Sequence, residues 1–146
     1  MGKAIEVALH GIVVLDTRGD EDNDELEIRH TLITQAGFSP SNIQETRQMW
    51  HKGNNDGVSI VQDDNHVHLI RNFQTMVLND FKVLVIGGHI AEEDTFNADN
   101  YMGHNFVTIT QDEIDNFHPT GKYFPIFFLE SPQQVRVNYT VKKLNL

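Results

Sequence analysis

Two stretches of the chain concentrate the oxygen donors that hard cations require. The first is Asp16-Thr17-Arg18-Gly19-Asp20-Glu21-Asp22-Asn23-Asp24-Glu25, and the second runs from Glu92-Glu93-Asp94 through Asp99-Asn100-Tyr101-Met102-Gly103. A calcium ion takes six to eight oxygens from carboxylates, amide side chains, backbone carbonyls and water, and both stretches supply all of these. Two like charges about 4 Å apart repel by ~4 kcal/mol at an effective dielectric of 20, so carboxylates brought together from both stretches need a counter-cation. The bland alternative is two splayed, solvated turns, because Asp, Asn and Gly favour turns on their own account and Arg18 sits close enough in sequence to neutralise a neighbour.

Other chemistry is thinner. His66 and His68 are two apart, which on a strand places two imidazoles on one face, as zinc, copper or iron sites require. A His-ligated metalloenzyme is therefore a competing reading, although the carboxylate that a cupin-type pattern wants a few residues later is missing from Leu69 to Phe73. His89 and His104 bracket the second acidic stretch. The sequence has no cysteine and no Gly-x-Ser-x-Gly elbow, and Gly87-Gly88 is too little to make a phosphate loop. A non-enzymatic role is the expectation.

These groups must be held by some scaffold, and the pattern of the chain is that of strands. Val135, Val137, Tyr139 and Val141 alternate with Arg136, Asn138, Thr140 and Lys142, giving one apolar and one wet face. Ile5 to Leu15, Leu26 to Ile33, Phe81 to Ile86, Phe106 to Thr110 and Tyr123 to Leu129 also read as strands, the last as a mainly buried aromatic run. Val58 to Val61 and Val67 to Ile70 flank Asp63-Asp64-Asn65 as a hairpin would. Asn42 to Trp50, behind a Ser41/Gln44 capping pattern, predicts a short helix, and Gln111 to Phe117 another turn of helix. The expected fold is all-β: a two-sheet antiparallel β-sandwich of about eight strands with one or two short helices, as one domain over residues 1–146.

Composition narrows the partners. With 11 Lys+Arg against 21 Asp+Glu, the formal charge is −10, which disfavours nucleic acid because its affinity rests on cationic side chains neutralising phosphate. No apolar run approaches the roughly 20 residues needed to span a bilayer, and Glu6 and His10 interrupt the first apolar segment, so a cytoplasmic location without a secretory signal is the expectation.

From Phe81 onward, KVLVIGGHIAEEDTFNADNYMGHNFVTITQDEI resembles the C2 domain, the calcium- and phospholipid-binding β-sandwich. In that family an apolar strand runs into two acidic positions one residue apart, then a spacer, a third ligand, an aromatic residue, Met or Ile, and Gly. On this register Glu92, Asp94 and Asn100 stand at the ligand positions and Tyr101-Met102-Gly103 at the ending. The first stretch fits the family's other ligand loop more loosely: Asn23-Asp24 match, while Glu25-Leu26 replace the expected Pro-Tyr. Asp24 carries over, and Asp16, Asp20 or Asp22 would have to supply the earlier ligand.

The resemblance implies a calcium ion held by Asp24, Glu92, Asp94 and Asn100, with Asp16, Asp20, Asp22 and Asp99 in reserve. It also implies attachment to an anionic lipid headgroup or a protein partner, with Phe96 and Tyr101 at the contact. The departures are Glu92 in place of a shorter Asp and neutral Asn100 in place of a carboxylate. A calcium-independent protein- or glycan-binding sandwich is the alternative.

Overall fold

The computed structural model describes residues 3–17, 25–78, 81–93, 100–130 and 132–144. Within them the chain forms β1 (Ala4–Asp16), β2 (Glu25–Ser39), β3 (Asn42–Lys52), β4 (Val58–Val61), β5 (His68–Val77), β6 (Val83–Glu92), β7 (Asn100–Thr110), α1 (Gln111–Asp115), β8 (Lys122–Glu130) and β9 (Gln133–Lys143). They build two antiparallel sheets, ordered β5-β1-β9-β8 and β3-β2-β6-β7, with β4 added to the free part of β2. The all-β two-sheet sandwich is as expected. Among the described residues it has nine strands and one short helix.

Alternation explains the pairing of the sheets. Val135, Val137, Tyr139 and Val141 of β9 are fully buried, as are Ile5, Val7, Leu9, Ile12 and Val14 of β1. They meet Leu26, Ile28 and Leu32 of β2 and Leu84, Ile86 and Ile90 of β6 in one apolar cluster. Each such side chain contributes roughly 1.5–3 kcal/mol by leaving water, so a slip of one residue in any strand would expose a whole row. Tyr139 crosses this core and donates its hydroxyl to Ile33 O at 2.8 Å in the opposite sheet, with Gly87 O at 3.3 Å. Burial pushes its phenol well above its ordinary pKa.

Three expectations about local structure change. Asn42–Trp50 is not a helix: it lies in β3, whose residues alternate between exposed and half-buried as far as the buried Met49 and pair along β2 from His30↔Lys52 to Ser39↔Asn42. Cross-strand pairing over eleven residues outweighs a local capping signal. Val58–Val61 and Val67–Ile70 do not form a hairpin with each other, because β4 pairs with β2 and β5 pairs with β1, so the turn between them carries the chain from one sheet to the other. The run Tyr123–Phe128 is only partly core: Ile126 and Phe128 are buried, whereas Tyr123 and Phe127 are 49% and 43% exposed on β8. The helix over Gln111–Asp115 does form, closed by a reciprocal Thr110/Glu113 capping box.

Gly87 and Gly88 have a structural use. Their φ values are +128° and +151°, and a Cβ would stand 2.0 Å from Asn105 O and 2.2 Å from Thr31 O. Only glycine lets β6 pass between β2 and β7 with its backbone this close.

Candidate functional site

The topology carries the flanks of both acidic stretches to one end of the sandwich. β1 ends at Asp16 and β2 begins at Glu25, so both flanks of the first stretch lie at that end. β6 reaches the same end: Ile28 near the start of β2 pairs with Glu92, and Glu92 pairs with Asn100 at the start of β7. Glu93 N–H donates to Glu27 O at 2.8 Å, which ties the second stretch to the strand that leaves the first. Of the candidate ligands, Asp16, Glu92 and the backbone of Asn100 fall within the described residues and lie at this end. Asp20, Asp22, Asp24, Asp94 and Asp99, and the contact candidate Phe96, lie outside the described residues. Among the described residues no three His, Asp or Glu side chains form a ready metal-binding group.

The surroundings of Asp16 are firmly built. Thr17, 5% exposed, directs both its N–H and its hydroxyl to Gln62 Oε1 at 2.8 Å. Asp63 N–H reaches Val14 O at 3.2 Å, and an isolated bridge joins Val14 to Gln62. A third acidic element therefore stands beside the end of β1: the turn Asp63-Asp64-Asn65, in which Asp63 Oδ1 accepts from Asn65 N–H at 2.9 Å. The sequence marks this segment only as a turn, since its nearness to β1 depends on the crossing between sheets.

Glu92 and Glu93 are placed differently from a solvated acidic turn. Glu92 is 3% exposed at the end of β6. Glu93 Oε2 accepts from Gly57 N–H at 3.0 Å, while its Oε1 is shielded from solvent and has no hydrogen-bond partner. A buried carboxylate oxygen without a partner is costly, of order 1–3 kcal/mol or more for a charged group, and a cation is one way to satisfy it. Glu93 is not among the sequence candidates, because the two-apart spacing of Glu92 and Asp94 passes over it.

Tyr101 belongs to a separate cluster. Its hydroxyl lies 2.7 Å from His89 Nδ1 on β6 and 3.5 Å from His104 Nδ1 on its own strand. His30 stacks on His89 with ring centroids 5.0 Å apart. Burial, then the nearby charges of His89, Arg29 and His51, hold His30 below the ordinary imidazole pKa; burial and His104 do the same to His89. His66 and His68 do not share a strand face, because β5 begins at His68 while His66 sits in the preceding turn, its N–H on Asp63 O at 3.0 Å.

No protein-family model and no curated protein matches the chain. Among solved structures it is similar to a C2 domain of plant extended synaptotagmin 1, with 10% identity, a TM-score of 0.45, and coverage of 99% of this chain and 97% of that one. It is also similar to human GIVD cytosolic phospholipase A2, with 15% identity, a TM-score of 0.43, and coverage of 99% of this chain and 17% of that one. The chain thus spans less than a fifth of that phospholipase, at 17% of its length. No helix of the described residues is long and apolar enough to cross a membrane.

Proposed function

We infer that this β-sandwich is a calcium-binding module without catalytic activity of its own, which uses the ion to attach to an anionic lipid or protein surface. The observation that supports this reading is the nearness of the strands flanking the two acidic stretches: Glu92 pairs with both Ile28 and Asn100, so the strand leaving the first stretch lies against the strands bounding the second. The acidic turn at Asp63-Asp64 and the unpartnered Glu93 Oε1 at the same end add to the demand for a cation. Asp24, Glu92, Asp94 and Asn100 are the proposed ligands, with Asp16, Asp20, Asp22 and Asp99 in support. A bound ion offsets mutual repulsion and presents positive charge to a phosphate or carboxylate partner, which a chain of charge −10 otherwise repels.

Thermal melts with excess calcium and with chelator test the reading. Saturation at 100 times the dissociation constant stabilises by about 2.7 kcal/mol, so a rise of several degrees is expected, and Asp94→Asn should abolish it. Sedimentation with phosphatidylserine vesicles should then require calcium, and Phe96→Ala should weaken it. Identical melts in calcium and chelator would instead favour a calcium-independent recognition surface.

A further inference from the structure

His89 and His104 stand directly opposite each other on β6 and β7. Opposed residues on antiparallel strands hold their Cβ atoms about 4.5–5.5 Å apart, within reach of one ion placed between two imidazoles. The two rings lie 5.7 Å apart at 51° to one another, so they are inclined and not stacked. Both direct Nδ1 toward a single oxygen, the Tyr101 hydroxyl, at 2.7 and 3.5 Å. When that oxygen accepts from both Nδ1–H groups, each ring is fixed in the tautomer whose Nε2 carries the free lone pair. An acceptor placed behind the ligating ring is the arrangement that orients histidines in metal sites and raises their basicity.

His30 supplies a further donor. Its Nδ1 is shielded from solvent and has no hydrogen-bond partner, and its ring lies against His89. The residue is held at φ +105°, a conformation that costs a non-glycine residue roughly 1–3 kcal/mol and that recurs at ligand sites. Ile28 and Leu32 on either side are fully buried, so simple alternation would have sent this imidazole toward the core.

We propose that His89 and His104, oriented by Tyr101, form a two-imidazole chelate for a divalent transition ion, zinc or copper, with His30 as the third ligand and water completing the shell. Because no three ligating side chains converge among the described residues as the rings stand, His30 turns on binding. Nitrogen donors select these ions over calcium, which prefers oxygen. The site is therefore distinct in chemistry from the acidic end and does not depend on the calcium reading.

Titration calorimetry of the untagged chain with zinc chloride, then copper sulfate, with calcium held in excess, tests this. One ion should bind per chain, His104→Ala should weaken it at least tenfold, and Asp94→Asn should leave it unchanged. Tyr101→Phe, a half-exposed position that keeps the ring, should cost about 10–100-fold in affinity, as loss of an orienting partner does. It also serves as the second variant should His104→Ala melt early in metal-free buffer. Absence of zinc and copper binding, or unaltered affinity in both variants, overturns the chelate; unaltered affinity in Tyr101→Phe alone overturns the orienting role of its hydroxyl.

Discussion

Tyr139 shows how one side chain can bind two layers. Its ring is fully buried and its hydroxyl donates to Ile33 O, so Tyr139→Phe leaves a part-buried carbonyl short of a partner. Urea denaturation of that variant should show a loss of about 1–2 kcal/mol with an unchanged slope. At the same scale the histidines make stability depend on pH. His30, His68 and His89 are held below their ordinary value of 6.5, mainly by burial, so the folded state prefers them neutral. The unfolded chain then takes up protons first on acidification. Their contribution is intact above about pH 6.5 and lost as pH falls toward the lower folded values. The melting midpoint should be flat above neutrality and fall below that pH, with a shallower fall in His89→Gln; equal slopes in the two proteins would remove the histidine explanation. Candidate ligands are legible only as types: Asp24 or Glu92 can be named from their neighbours, but Glu93 owes its place to Gly57 and Glu27, which are remote in sequence.

Among the elements, β6 is the most constrained. Its glycine pair passes where a methyl group would meet the carbonyls of Asn105 and Thr31. Gly87→Ala therefore adds a strained φ, worth roughly 1–3 kcal/mol, to a backbone collision. The variant should melt well below the parent and lose the chemical-shift dispersion of β2 and β7; a native-like melt would show that the strands separate at little cost. The pattern of β9 and β1 can be read directly because alternation is a property of neighbours along the chain. That of β3 misleads, since Ser41 and Gln44 give a helix-like start while the pairing with β2 that decides the matter is invisible in a window of nine residues. The crossing of the chain between sheets after β4 is hidden for the same reason: a turn motif specifies a reversal, not which sheet receives the next strand.

For the whole molecule, charge dominates. With a formal charge of −10 and the flanks of both acidic segments at one end, the protein in chelator should be stabilised by salt, because the Debye length shrinks from about 30 Å at 0.01 M to about 8 Å at 0.15 M. Melts in chelator should rise with sodium chloride over that range, and the increment from calcium should shrink in step; a salt-independent midpoint would mean that the segments do not repel. The sandwich class and the two acidic stretches are legible in the sequence, whereas the nearness of their flanking strands follows only from the pairing of β2 with β6. The opposite end carries a different feature. Leu144 N–H donates to Ala4 O at 2.9 Å, and Lys3 pairs with Asp115 of α1, so the first and last described residues sit side by side. A short peptide bridge between them should yield a permuted protein cut open at Gly53-Asn54-Asn55 that still folds. For the same reason a dye or surface tether attached at either of these positions would leave the end that carries Asp16 and Glu92 facing freely outward.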